Sequence, residues 1–209
     1  MRAAHRRAGV VGVIAVTMVT AVLAGSGPST ASDARRVDDQ FVSVLVRSDQ
    51  FSPPTAFIRP GAVTYNLRKV PAGADIRAVR RATRHATSVG IVVRGLPAHR
   101  TYGAHVHTKP CGARPDDSGP HYQHVKDPVQ PSTDPRYANP RNEVWLDFTT
   151  NAKGIGTATS RHRWNFRAGE ARSIVLHETA THTEPGHAGQ AGARLACLTV
   201  PLSAEVRVR

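Results

Sequence analysis

The sequence predicts an all-β protein, a sandwich or barrel of about eight short strands. Three observations carry this. Short β-branched or alternating runs recur along the chain, no stretch shows a convincing helical period, and two long polar stretches rich in Pro, Gly and Asp interrupt the runs. In order, the strand-like runs are Phe41 to Arg47, Val63 to Arg68, Ser88 to Arg94, Tyr102 to His107, Val144 to Phe148, Gly154 to Thr159, Arg172 to His177 and Arg194 to Val200. Asp75 to Arg84 reads two ways, because Ile76, Val79 and Thr83 fit a helical spacing as well as a bent strand. Gly95-Leu96-Pro97 and Asn151-Ala152-Lys153-Gly154 read as tight connections between neighbouring runs. Thr108 to Arg141 and Glu178 to Ala193 are the two long loops. A compact domain rarely carries structureless loops longer than about 15 residues unless they are functional. The chemistry is therefore sought in these loops and at their ends.

The chain opens with Arg2, Arg6 and Arg7, an apolar run from Val10 to Leu23, and then small residues. This is the pattern of a secretory signal, assigned to residues 1–31, with cleavage after either Ala24 or Ala31. The apolar run falls short of the roughly 20 residues that span a bilayer, so no membrane anchor is expected to remain. Ser26 stands where a lipid-bearing cysteine would be needed. Residues 32–40 read as a flexible linker, residues 41–200 as one globular domain and residues 201–209 as a tail. Export places Cys111 and Cys197 in an oxidising compartment, where they are expected to pair; two buried thiols are the alternative. Closing the loop of 86 residues between them (197 minus 111) stabilises a fold by about 4 to 5 kcal/mol in the chain-entropy model.

Lys and Arg number 28 against 15 Asp and Glu, a formal net charge of +13. Aromatic residues make up only 5%, which leaves few stacking platforms for single strands, so no nucleic-acid partner is expected. The charge alone leaves open a solvated arginine-rich surface or an anionic partner.

Histidine carries the chemical signal. His105 and His107 stand at i and i+2 in Gly103-Ala104-His105-Val106-His107, so on a strand both rings project from one face and can grip one metal ion. His121 follows Gly119-Pro120, a turn that can aim its ring back toward the pair. His177 ends the apolar run Ser173 to Leu176. Imidazoles suit copper, zinc or iron, so ligand type alone does not name the metal.

The strings GAHVH, SGPH, RSIVLH and GARLAC, with a cysteine soon after the first, resemble in kind and order the copper/zinc superoxide dismutases. The resemblance covers roughly Phe41 to Val200, and its discriminating motifs lie from Gly103 onward. It implies an eight-stranded Greek-key β-barrel with the active site on its outside beneath two long loops. It further implies copper at His105, His107, His121 and His177, with His121 in the position that bridges to zinc where zinc is bound. Arg194 matches the arginine that attracts and orients superoxide, and Cys111 and Cys197 match the intrasubunit disulfide. The implied reaction is dismutation of superoxide to oxygen and hydrogen peroxide by an exported, antioxidant oxidoreductase, with His121 carrying a proton. The sequence leaves open whether the chain forms a homodimer.

The zinc half of the pattern departs from the family, since only His121 is matched. The zinc aspartate falls near Val144 and the aspartate that links the two metal sites near Thr181. His124, Asp127, Glu143, His182 and His187 are present without a spacing that demands a second site. Copper without zinc is therefore the expected cofactor. A non-catalytic extracellular copper-binding domain on the same fold is the alternative to an enzyme.

Overall fold

The computed structural model describes residues 43–58 and 60–204. The expected signal segment, the linker and the end of the tail lie outside the described residues. Ten strands appear in the order β1 (Ser43–Ser52), β2 (Ala62–Thr64), β3 (Asp75–Ala82), β4 (Thr87–Arg94), β5 (Thr101–Tyr102), β6 (Ala104–His107), β7 (Phe148–Thr149), β8 (Gly156–His162), β9 (Ser173–His177) and β10 (Arg194–Thr199), with one 3-10 turn at Pro115–Ser118. Eight of them form one curled sheet in the order β6-β9-β10-β2-β1-β3-β4-β8, while β5 and β7 pair separately. Strands adjacent in the sheet are often distant in sequence. The chain crosses from β4 to β6 and from β8 to β9, as the expected Greek-key barrel requires.

The ambiguous segment is a strand. Asp75 to Ala82 pairs along its whole length with β1 on one side and β4 on the other. Its buried residues are Ile76, Ala78, Arg80 and Ala82, a period of two rather than a helical one. Two expected runs are shorter than they read, and the third is shifted along the chain to Gly156–His162. The run from Val63 is a strand only to Thr64; Val144 to Phe148 contributes an isolated bridge from Trp145 to His105 before β7 begins; and β8 starts at Gly156.

The interior is filled by Phe51, Ile76, Ile91, Tyr102, Val106 and Leu198 among others, with Tyr102 stacked on Phe148 at 5.3 Å. β6 and β9 are buried on both faces. Ala104, Val106, Ile174 and Leu176 point into this core, and the alternate residues point outward beneath the long loops. A second small cluster, Val63, Val175 and the Cys111–Cys197 disulfide, fills the space between the outer face of β2, β9 and β10 and the first loop. The bridge spans 86 residues of chain and ties that loop to β10.

Candidate metal centre

The outward-facing residues of β6 and the last residue of β9 build the site. His105 and His107 lie on one face of β6, two residues apart, and the register of β6 with β9 brings His177 beside them. His121 enters from the first loop, where its backbone bridges to His107. That approach needs Gly119 at φ 72°, because a side chain there would collide with the Thr108 hydroxyl 2.7 Å away. The four rings place their ligand atoms within 4.8 Å of one another. His105, His107 and His177 are buried, and His121 is half-buried.

Each ring is held from behind by a hydrogen-bond acceptor. His107 Nδ1 donates to the carbonyl of Gly119 at 2.8 Å and His177 Nδ1 to that of Gly192 at 3.4 Å. His121 Nδ1 donates to Glu143 Oε2 at 2.9 Å. His105 Nε2 donates to the Thr181 hydroxyl at 2.7 Å, and that hydroxyl in turn donates to Asp147 Oδ1 at 2.8 Å. These partners fix the tautomers, so each ring turns a bare nitrogen lone pair inward. Two of those lone pairs, on His107 Nε2 and His177 Nε2, face each other at 3.3 Å. The inward Nδ1 of His105 is buried with no protein partner. Four converging lone pairs with their outer N–H groups anchored are what a histidine-ligated metal ion requires.

Protonation does not compete for the inward atoms of His105, His107 and His177 near neutrality. Burial, with the neighbouring imidazoles and Arg194 acting in the same direction, pushes His105 and His107 well below the ordinary value. Burial lowers His177 to about 3.

Arg194 opens β10, in register with His177. Its Nη1 donates to the carbonyl of Pro115 at 3.2 Å and to the Ser118 hydroxyl at 2.9 Å, so the 3-10 turn holds the guanidinium. Together with His121 and His177 it lines a cavity of about 620 Å³, whose other walls include Gln123, Thr133 and Gln190 from the two long loops. The sequence-predicted residues are thus brought to one place: four imidazoles, one guanidinium and the disulfide behind it.

The zinc side of the pattern is filled by protein. Glu143 is buried, and its carboxylate accepts three hydrogen bonds, from His121 Nδ1, from Gln123 Nε2 at 2.8 Å and from Trp145 Nε1 at 2.8 Å. Val144 is buried in the core. The remaining candidates scatter. His124 stacks on Trp164, Asp127 accepts from Ser132, His182 meets Glu184, and His187 meets Gln190. Among the described residues the four-histidine cluster is the single group of three or more such side chains arranged around one point. The sequence reading missed Asp147, Gln123 and Trp145. The one local signal is Asp147, a carboxylate next to an apolar strand position where Asp is disfavoured.

No protein-family model matches the chain, and no curated protein matches it. Solved structures do. The chain is similar to the Cu/Zn superoxide dismutase from Brucella abortus, with 18% identity and a TM-score of 0.50 over 76% of this chain and 99% of that one. It is also similar to a double mutant of a SOD-like protein from Bacillus subtilis (14% identity, TM-score 0.44, 58% of this chain and 87% of that one). The clock protein EA4 is a third neighbour (20%, TM-score 0.47, 62% and 87%). At these identities the likeness speaks for the fold alone, and the Brucella structure agrees with the all-β barrel described here.

Proposed function

We propose that this chain is an exported, copper-dependent superoxide dismutase that works without zinc. The observation that carries the reading is the set of four buried or half-buried imidazoles, each anchored from behind and turning a lone pair inward, beside an arginine on an open cavity. When bound, copper supplies one-electron chemistry: two superoxide anions and two protons become one oxygen and one hydrogen peroxide. His105 Nδ1 and the Nε2 atoms of His107, His121 and His177 would hold it.

The chain's own groups supply the rest. Arg194, fixed by Pro115 and Ser118, attracts the anion into the cavity and leaves it facing the imidazoles. Burial excludes competing ligands from His105 and His107. His121 is the least buried of the four and lines the cavity, so its Nε2 is the atom placed to carry a proton to the developing peroxide. Glu143 keeps the opposite nitrogen, Nδ1, protonated and the ring in place, which a second metal ion would otherwise do. A carboxylate with three donors already bound has little left to offer zinc.

Export rests on the basic and apolar beginning of the sequence together with the disulfide. No helix of the described residues is long and apolar enough to cross a membrane.

Two measurements separate an enzyme from a copper carrier. The copper-loaded protein is expected to consume superoxide, and Arg194→Gln is expected to lose about tenfold in rate while copper stays bound. Tight copper uptake without turnover would leave a copper-binding domain and refute catalysis.

A further inference from the structure

The outer face of β3, β4 and β8 concentrates positive charge that the metal centre does not use. Register fixes the arrangement. Arg81 stands opposite Ser88 and Ser88 opposite Arg161; Arg77 stands opposite Val92 and Val92 opposite Thr157. Between these rows lie Val79, Gly90 and Thr159. Gly90 has no side chain, and it leaves a depression of about 420 Å³ edged by Arg77 and Arg81 on one side and by Thr157 and Thr159 on the other. A Cβ at Gly90 would already stand 3.2 Å from the Thr159 hydroxyl.

Arg77, Arg81 and Arg161 are exposed. The sole carboxylate of these three strands is Asp75, at the start of β3, where it faces Arg94 at 3.6 Å and is spent on that pair. Among the described residues none of the three arginines has a carboxylate partner, and like charges so gathered repel one another, so such a face favours an anion that can bridge them. The face makes no direct contact with the histidine site. β3, β4 and β8 stand at the opposite end of the sheet from β6 and β9, and none of the three arginines lines the histidine cavity.

The spacing and chemistry narrow the partner. Four residues along a strand span about 13 Å and two strand steps about 10 Å, so the three arginines are rooted across a patch wider than one small ion. No Phe, Tyr or Trp lies in β3, β4 or β8, so nucleobases and sugar rings find nothing to stack on. The guanidinium fork matches phosphate oxygens, and threonine hydroxyls add donors. We propose that this face binds a linear chain of phosphate groups, with Arg77, Arg81 and Arg161 gripping non-bridging oxygens and the chain lying in the depression over Gly90.

The test uses the full chain with long-chain inorganic polyphosphate, heparin and single-stranded DNA as probes. Polyphosphate is expected to bind most tightly, and a fourfold rise in salt is expected to weaken it roughly 20- to 40-fold. The triple variant Arg77→Gln, Arg81→Gln, Arg161→Gln is expected to lose at least about tenfold in binding with turnover and copper content unchanged. A control with the same charge removed elsewhere, at Arg68, Arg136 and Arg172, is expected to bind nearly as the parent does. Should the triple variant misfold, Arg161→Gln alone is expected to weaken binding measurably more than Arg136→Gln. Equal losses in triple and control variants, no binding at all, or heparin or DNA binding as tightly as polyphosphate would each overturn the proposal.

Discussion

Four acceptors stand behind the four imidazoles, and they are not equivalent. Gly119 and Gly192 use backbone carbonyls, which mutation cannot delete, whereas Thr181 and Glu143 use side chains. Thr181→Val removes the acceptor of His105 Nε2 and its link to Asp147, which keeps the backbone N–H groups of Thr181 and Ala104, while Thr181→Ser keeps both side-chain contacts. Partners of this kind are worth about 10–100-fold in metal affinity. Thr181→Val is therefore expected to weaken copper by that factor in competition with a chelator, and Thr181→Ser to restore it; equal affinity in all three proteins would refute the relay. Protons give a second handle. His177 sits at about 3 and His105 and His107 well below 6.5 in the fold, so below about pH 6.5 the unfolded chain binds more protons than the folded one. Stability from this source is present above that pH and is lost as pH falls toward 3. The metal-free protein is expected to melt about 5 °C lower at pH 5 than at pH 7.5, and a flat melting temperature would contradict the burial argument. The histidine cluster was legible at its start, because an i, i+2 pair on a strand is a local pattern. Asp147 was not, since it reaches His105 through Thr181, 34 residues further along the chain. Glu143 stood out as a carboxylate near the zinc position, but its pairing with His121 follows from the bridge between Gln123 and Glu143, which no spacing encodes.

Among elements, the two buried strands and the disulfide set the site. β9 reads as an unbroken apolar run because the core covers one face and the first loop the other, so alternation is lost. β3 reads ambiguously for a different reason. Three arginines obscure its alternation, and one of them, Arg80, points inward, donating to the carbonyl of Leu202 and the hydroxyl of Ser43. Strands of two or three residues such as β2 and β7 are too short to carry a period and emerge only from pairing. The disulfide is the element-scale lever. Cys197 lies three residues after Arg194, and Cys111 lies in the loop whose 3-10 turn grips that arginine. Replacing both cysteines with serine is expected to lower unfolding stability by about 4 kcal/mol in denaturant titration. Turnover is expected to fall with copper still bound, because the anchor of Arg194 loosens. Unchanged stability and turnover in the double variant would show that the loop is held by its packing alone.

At the scale of the whole molecule, the fold class followed from run length and loop placement, and the barrel order follows from pairing. The net charge of +13 divides into local roles: Arg194 at the cavity, Arg80 inside, and an exposed arginine face on β3, β4 and β8. The central claim is that one copper, held by four histidines and backed by Glu143, suffices. Its most direct test is dismutation measured on protein reconstituted with copper alone, in buffer stripped of zinc, beside protein given both metals. The account expects one copper per chain, negligible zinc in either sample and equal turnover in both. Zinc bound in near-equal amount to copper, with activity that depends on it, would contradict the account and show that Glu143 serves a second metal rather than replacing it.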